Sequence, residues 1–326
     1  MKIAKKTFLR GFTLIELMTA MAITAMLVVV IMQLTNQSVD LWKAVGEDVS
    51  TSSRARMALQ TISHDFESFQ MRGYDNKYQW LYARGDDSMD LPKGLEVPRS
   101  VQCVFFACAP DRNPSVSSST SLRRNYREAR AHNRDTQGDV NAIGYRLMYR
   151  DQIRNIGGAE GNDTGVFPLF SLYRQVVPPR PTFENLLGKT NLEAAYSTYA
   201  LNDEQNFLCE NILEMNITFN IRYTQGEADA KDGNVSYASV SVPVISSNSR
   251  TNKVSVYGNR IEAGSTVYQN ARIDSAMVSI SVLTEEGVTM VEQIRQGRRR
   301  APKRIAEFFA KYTRSYSSMV ALPQPL

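Results

Sequence analysis

Residues 12–32 read FTLIELMTAMAITAMLVVVIM, an apolar run whose one charge is Glu16. As a helix the run rises about 31 Å, close to the hydrocarbon thickness of a bilayer. Lys2, Lys5, Lys6 and Arg10 precede it with no acid among them, and the first charge after it is Asp40. The positive-inside rule then predicts a cytoplasmic amino terminus and an exported body. A secretory signal cut at Ala20-Met21-Ala22 would leave the apolar stretch 23–32 at the new terminus, and the whole run exceeds the usual signal core. A soluble-core helix of this length would show flanking polar periodicity, which is missing. A plain signal anchor gives no reason for Glu16, and a carboxylate inside lipid is costly enough to mark a functional residue.

The junction before the run supplies that reason. KKTFLRGFTLIELMTAMAI (5–23) closely resembles the cleavage and methylation motif of type IV pilins and type II secretion pseudopilins. The resemblance implies that Gly11 is the last leader residue, cut on the cytoplasmic face by prepilin peptidase. Phe12 then becomes the N-methylated first residue of the mature chain, and Glu16 matches the acid used in assembly. A Phe12 ammonium and the Glu16 carboxylate of a neighbouring subunit are each costly in lipid, and a close charge-assisted pair offsets part of both costs. Glu16 snorkelling to the interface is the alternative role for that carboxylate.

The chain has 326 residues, 43% hydrophobic and 22% charged, which excludes wholesale disorder and collagen-like sequence. The formal net charge of +5 falls to 5 − 4 = +1 once the four leader cations are removed, so basicity is no guide to a partner. Three cysteines, Cys103, Cys108 and Cys209, are too few for a disulfide framework. In an exported body a Cys103–Cys108 or Cys108–Cys209 bridge is permitted, and three buried thiols are equally consistent.

Beyond the span, two apolar series continue the helix: Leu41, Val45, Val49, then Ala55, Leu59, Ile62, Phe66, Phe69. Gly46 and the serine-threonine run 50–53 predict a kink or frayed turn between them, and the second series is expected to pack on a sheet. Residues 72–95 read as loop, and 114–121 as a serine-rich surface loop. Alternation predicts strands at 101–107, 142–150, 167–177, 212–223, 236–245 and 274–284. The clearest is 212–223, with Leu213, Met215, Ile217, Phe219, Ile221 and Tyr223 on one side. Residues 182–206 read as helical, and 301–318 as a closing helix. One long helix followed by many short strands is an α+β organisation, in agreement with the pilin-like fold that the motif implies. The expected layout is a 1–11 leader, a 12–32 transmembrane helix, a 33–70 continuation packed on an antiparallel sheet, and a 71–326 exported domain.

Weaker resemblances follow. Residues 53–66 are similar to the helix of J-class minor pseudopilins. VFFACAP (104–110), NAIGY (141–145) and CENILEM (209–215) resemble protein C of verrucomicrobial cassette gene clusters, a pilin-like family. The size of the chain favours a minor or specialised subunit over a bulk one.

Signatures of catalysis are missing. His64 and His132 stand in no ligand-spaced cluster, no GxSxG elbow exists, and Gly188-Lys189-Thr190 lacks the first glycine of a phosphate loop. Arg84-Gly85-Asp86 is a lone triplet without meaning by itself. Two acidic loops invite calcium, Glu227, Asp229, Asp232 before Gly233-Asn234, and Asp86, Asp87, Asp90 beside Gly85; neither has EF-hand spacing. Arg123, Arg124, Arg127, Arg130 and Arg134 form one basic cluster, and Arg295, Arg298, Arg299, Arg300, Lys303 and Arg304 another. Aromatic interleaving is sparse there, so nucleic acid is disfavoured as a partner. The expectation is a non-enzymatic fibre subunit without cofactor, anchored by one pass in the bacterial inner membrane. Its partners would be prepilin peptidase, other pilin-like subunits, the assembly platform and lipid. The other class weighed is a signal-anchored exported protein that binds nucleic acid or glycan.

Overall fold

In a computed structural model the chain is described at residues 13–72, 76–86, 95, 100–108, 140–152, 156–157, 166–199, 206–224, 236–246 and 252–323. It divides into two bodies, Met1–Ser50 and Thr51–Leu326. One helix, α1 (Leu14–Glu67), runs through both without interruption. No frayed turn interrupts it: Gly46 and Ser50 to Ser53 all belong to the helix. The serine-threonine run instead marks where the helix becomes buried, beginning at Thr51. Leu41, Val45 and Val49 stay exposed, whereas Ala55, Leu59, Ile62, Phe66 and Phe69 are all buried, so the packed half of α1 is shorter than 33–70. The helix stops at Glu67, and Phe69 instead bridges Ala107.

Two antiparallel sheets fill the second body. The larger follows the order β11-β10-β9-β1-β2-β3-β5-β6, with β4 (Ile156–Gly157) on β3. Its middle is β1 (Leu81–Asp86), β2 (Ser100–Ala107), β3 (Asn141–Asp151) and β5 (Leu169–Val177). One flank carries β9 (Val254–Tyr257), β10 (Arg260–Ala263) and β11 (Thr266–Tyr268), the other β6 (Phe207–Glu210). The smaller sheet has the order β13-β12-β7-β8, made of β7 (Ile212–Thr224), β8 (Tyr237–Pro243), β12 (Arg272–Leu283) and β13 (Thr313–Ala321).

The packed half of α1 meets both sheets. The Phe66 ring stacks on Phe105 of β2 at 4.5 Å and meets Phe219 of β7 edge-on at 6.4 Å. Ser63 Oγ lies 3.2 Å from Ser318 Oγ on β13. Each buried aromatic of this kind contributes about 1.5–3 kcal/mol by leaving water. β2 is buried along its whole length because its other face is covered too. A short helical turn at Pro179–Pro181, continuing as a π-turn at Thr182–Leu186, leads to α2 (Leu192–Tyr196). From there Leu192 N–H donates to Gln79 Oε1 at 2.7 Å and Tyr196 Oη–H to Gln175 Oε1 at 2.8 Å.

The alternating strands fall where the sequence predicts, at β2, β3, β5, β7, β8 and β12. Three readings are corrected. Residues 81–86 are a strand and not a loop: Leu81 to Asp86 pair with Phe105 to Ser100, and this long-range partner outweighs the local turn signal of Gly and Asp. Residues 301–318 are not one helix. Helix α4 (Ile305–Tyr312) ends, and Thr313 to Ala321 pair with Leu283 to Ser275 as an edge strand. In 182–206 the described residues hold only short turns and α2. A further helix, α3 (Glu285–Arg295), was not anticipated; Thr284 caps it by accepting from Gly287 N–H at 3.2 Å. The serine-rich 114–121 loop lies outside the described residues.

Gly144 on β3 faces Tyr196 so closely that a Cβ would overlap the phenol ring. Gly144→Ala is expected to destabilise the second body by about 1–3 kcal/mol, because ring and sheet are both fixed by hydrogen bonds. Denaturant unfolding followed at Trp80 measures it, and a loss well under that range would show that the 192–196 cover moves freely.

Candidate functional site

Gly11 and Phe12 lie outside the described residues, which begin at Thr13. Thr13 and Glu16 form a reciprocal cap at the start of α1. Thr13 N–H and Thr13 Oγ1–H each donate to Glu16 Oε2 at 2.9 Å, while Glu16 N–H donates to Thr13 Oγ1 at 3.3 Å. Thr-x-x-Glu before an apolar run is the sequence signature of such a capping box. Attention to the charge of Glu16 passes over this local partner. The carboxylate is thus held at the helix start, where two donors and the positive end of the helix dipole favour it.

The rest of the span hides its polar groups inside itself. Thr19 Oγ1–H donates to the Ile15 carbonyl at 3.0 Å, Thr24 to Ala20 at 2.7 Å, Thr35 to Ile31 at 2.8 Å and Ser38 to Leu34 at 2.8 Å. No hydroxyl in that series needs water, as a lipid-facing helix requires. Every apolar side chain from Leu14 to Leu34 is exposed, and the helix is long and apolar enough to cross a membrane. An uncovered apolar surface of this extent calls for lipid or for other helices around it.

The second body contains a polar cluster that sequence reasoning missed. Asp65 in the last turn of α1 and Arg174 on β5 are each about 1% exposed. Arg174 Nε–H donates to Asp65 Oδ2 at 2.6 Å and Nη2–H to Oδ1 at 2.8 Å, a two-pronged ion pair. Tyr145 Oη–H, on the neighbouring β3, also donates to Asp65 Oδ2. Burial, and then the charge of Asp65, hold the Tyr145 hydroxyl protonated far above its ordinary range. Burial pulls Arg174 down, but the hydrogen bonds to Asp65, together with the electrostatic attraction of Tyr145 and Asp65, more than offset it, so the guanidinium stays charged. The cluster fastens α1 to the sheet. An aspartate and an arginine 109 positions apart leave no local signal.

Other singled-out residues serve the fold. Arg84-Gly85-Asp86 lies within β1, where Arg84 pairs with Glu193 at 2.7 Å and Asp86 is buried, accepting from Arg146 Nε at 2.6 Å. Asp86 is therefore engaged by an arginine, while Asp87, Asp90 and the 227–232 acids lie outside the described residues, as do His132 and the 123–134 arginines. No group of three metal-ligating side chains occurs among the described residues. Cys103 and Cys209 are buried free thiols, which leaves both candidate bridges to Cys108 unformed, and Cys108 is exposed. Burial pushes the Cys209 thiol up to about 12, which makes it unreactive. His64 is exposed on α1.

A family model for the prokaryotic N-terminal methylation motif matches residues 10–32. No curated protein and no solved structure matches the chain significantly. The matched motif, with the long apolar helix and the antiparallel sheets, supports a type IV pilin-like or pseudopilin-like protein. Such a motif marks a membrane-anchored substrate of prepilin peptidase.

Proposed function

We propose that the chain is a minor, pseudopilin-type subunit of a type IV pilus-like or type II secretion fibre. In this reading prepilin peptidase cuts after Gly11, Phe12 is N-methylated, and the chain waits in the inner membrane with its second body exported. The platform then lifts it into the fibre, where Glu16 meets the Phe12 amine of a neighbouring subunit and the apolar helices pack side by side. The protein is a substrate of enzymes and carries no reaction of its own; the reading requires neither metal nor cofactor. What supports it most is the matched motif at the head of a helix whose apolar side chains from Leu14 to Leu34 are exposed. An exported, signal-anchored binding protein would share the anchor but not the capped acid behind a Gly-Phe junction.

Amino-terminal sequencing of the protein from its host membrane tests the reading. A chain beginning at N-methylated Phe12 is expected. A functional chain beginning at Met1 or Ile23 would overturn it in favour of a plain anchor or a secretory signal.

A further inference from the structure

The chain passes from the larger sheet to the smaller through a single residue. β6 ends at Glu210 and β7 begins at Ile212, and Asn211 between them turns the chain with φ at +63°. That left-handed geometry suits Gly best and tolerates Asn. The Asn211 carbonyl accepts from Leu283 N–H at 2.7 Å, which holds the junction to the end of β12. Helix α3 covers it. Val288, Val291 and Glu292 of α3, with Tyr149 of β3, Phe170 of β5 and Asn211, line a cavity of about 10 Å3.

Two of these residues carry buried polar atoms with no hydrogen-bond partner among the described residues, Tyr149 Oη and Asn211 Oδ1. Tyr149 is 2% exposed and Asn211 5%. Neither is free to swing into solvent, because the Tyr149 ring packs on Phe170 at 4.7 Å and the Asn211 backbone is held by Leu283. Burial, and then the charge of Glu292, keep the Tyr149 hydroxyl protonated well above its ordinary range, so it is a donor. Asn211 Oδ1 is an acceptor. A buried donor and a buried acceptor that do not meet each carry a full desolvation cost, which protein interiors rarely leave standing. One water molecule satisfies both, accepting from the phenol and donating to the amide oxygen, and the cavity has about the volume that one water needs. A cation fits less well. Glu292, the one charged residue lining the cavity among the described residues, already pairs with Arg295 at 2.6 Å.

We propose that a single water molecule, bound between Tyr149 Oη and Asn211 Oδ1, is an integral part of the second body, with the Glu292 carboxylate accepting its remaining hydrogen bond. It closes the seam where β3, the β6–β7 junction and α3 meet, and it does so whichever function the chain serves. The site also gives Asn211 a role that its backbone does not require. Gly would make the turn with less strain, but it would leave the Tyr149 hydroxyl without a link to the junction.

Denaturant unfolding of the full chain in detergent, followed at Trp80, tests the site by the sign of one substitution. Tyr149→Phe deletes the hydroxyl and leaves the ring. With the water bridge lost, its unfolding equilibrium constant is expected to rise about fivefold or more. A dry hydroxyl predicts the reverse, since deleting an unpaired polar group relieves a cost; an unchanged or lowered constant overturns the bridge. Asn211→Gly keeps the backbone turn and removes the amide. Because one water serves both side chains, Tyr149→Phe combined with Asn211→Gly should raise the constant only about as far as the larger single change. A double variant whose effect is the product of the two singles overturns the shared site. A crystal structure of the full chain in detergent needs no variant. A water peak within about 3.2 Å of both atoms is the expected result. A direct Tyr149–Asn211 hydrogen bond or a dry cavity sinks the bridge, and contacts near about 2.4 Å from several oxygens would put a cation there instead.

Discussion

Glu16→Leu is expected to leave the chain cleaved and membrane-inserted but to lower its amount in sheared fibres by about tenfold or more, as the loss of a charge-assisted pair in lipid would. The structure makes the companion variant Glu16→Gln informative. Gln can still accept from Thr13 N–H and Oγ1–H, so it preserves the capping box while removing the charge. If the carboxylate pairs with a neighbour's ammonium, Gln fails like Leu. If the cap is what matters, Gln assembles normally and only Leu fails. Immunoblots of the fibre and membrane fractions read both, and normal incorporation of Glu16→Leu would remove Glu16 from the assembly mechanism.

Asp65→Asn is expected to cost the second body about 3–5 kcal/mol, because it leaves the Arg174 guanidinium buried without its counter-charge. Asp65→Leu with Arg174→Met should recover most of that loss, since an apolar pair of similar size carries no stranded charge. Denaturant unfolding followed at Trp80, which is buried in this body, measures both variants; Trp42 is exposed on the other body. A loss under about 1 kcal/mol would mean that water reaches Arg174 once Asp65 is neutral. In the proposed fibre, load on α1 would pass to the sheet through Asp65, Arg174 and Tyr145, beside the apolar contacts of Phe66.

The motif and the span were legible in the sequence because their physics is local. A bilayer reads a run of apolar residues directly, and a peptidase reads the residues at its cut. The helical spacing of Ala55, Leu59, Ile62 and Phe66, and the alternation of β7 and β12, were legible for the same reason: burial of one face imposes a period on neighbouring residues. Strand β13 was not, because an edge strand exposed on most of its length, TRSYSSMVA, shows no clean period and becomes a strand only by pairing with β12.

By itself the amino-acid sequence determined an anchored α+β protein with an acid at the head of its helix, since those features follow from near-neighbour chemistry. Only the tertiary structure decided that α1 stays exposed until Thr51 and that Asp65 ends in a buried pair with Arg174. Each of these depends on groups far apart in the chain being brought together, and pairing across such distances is set by how the sheets close on the helix.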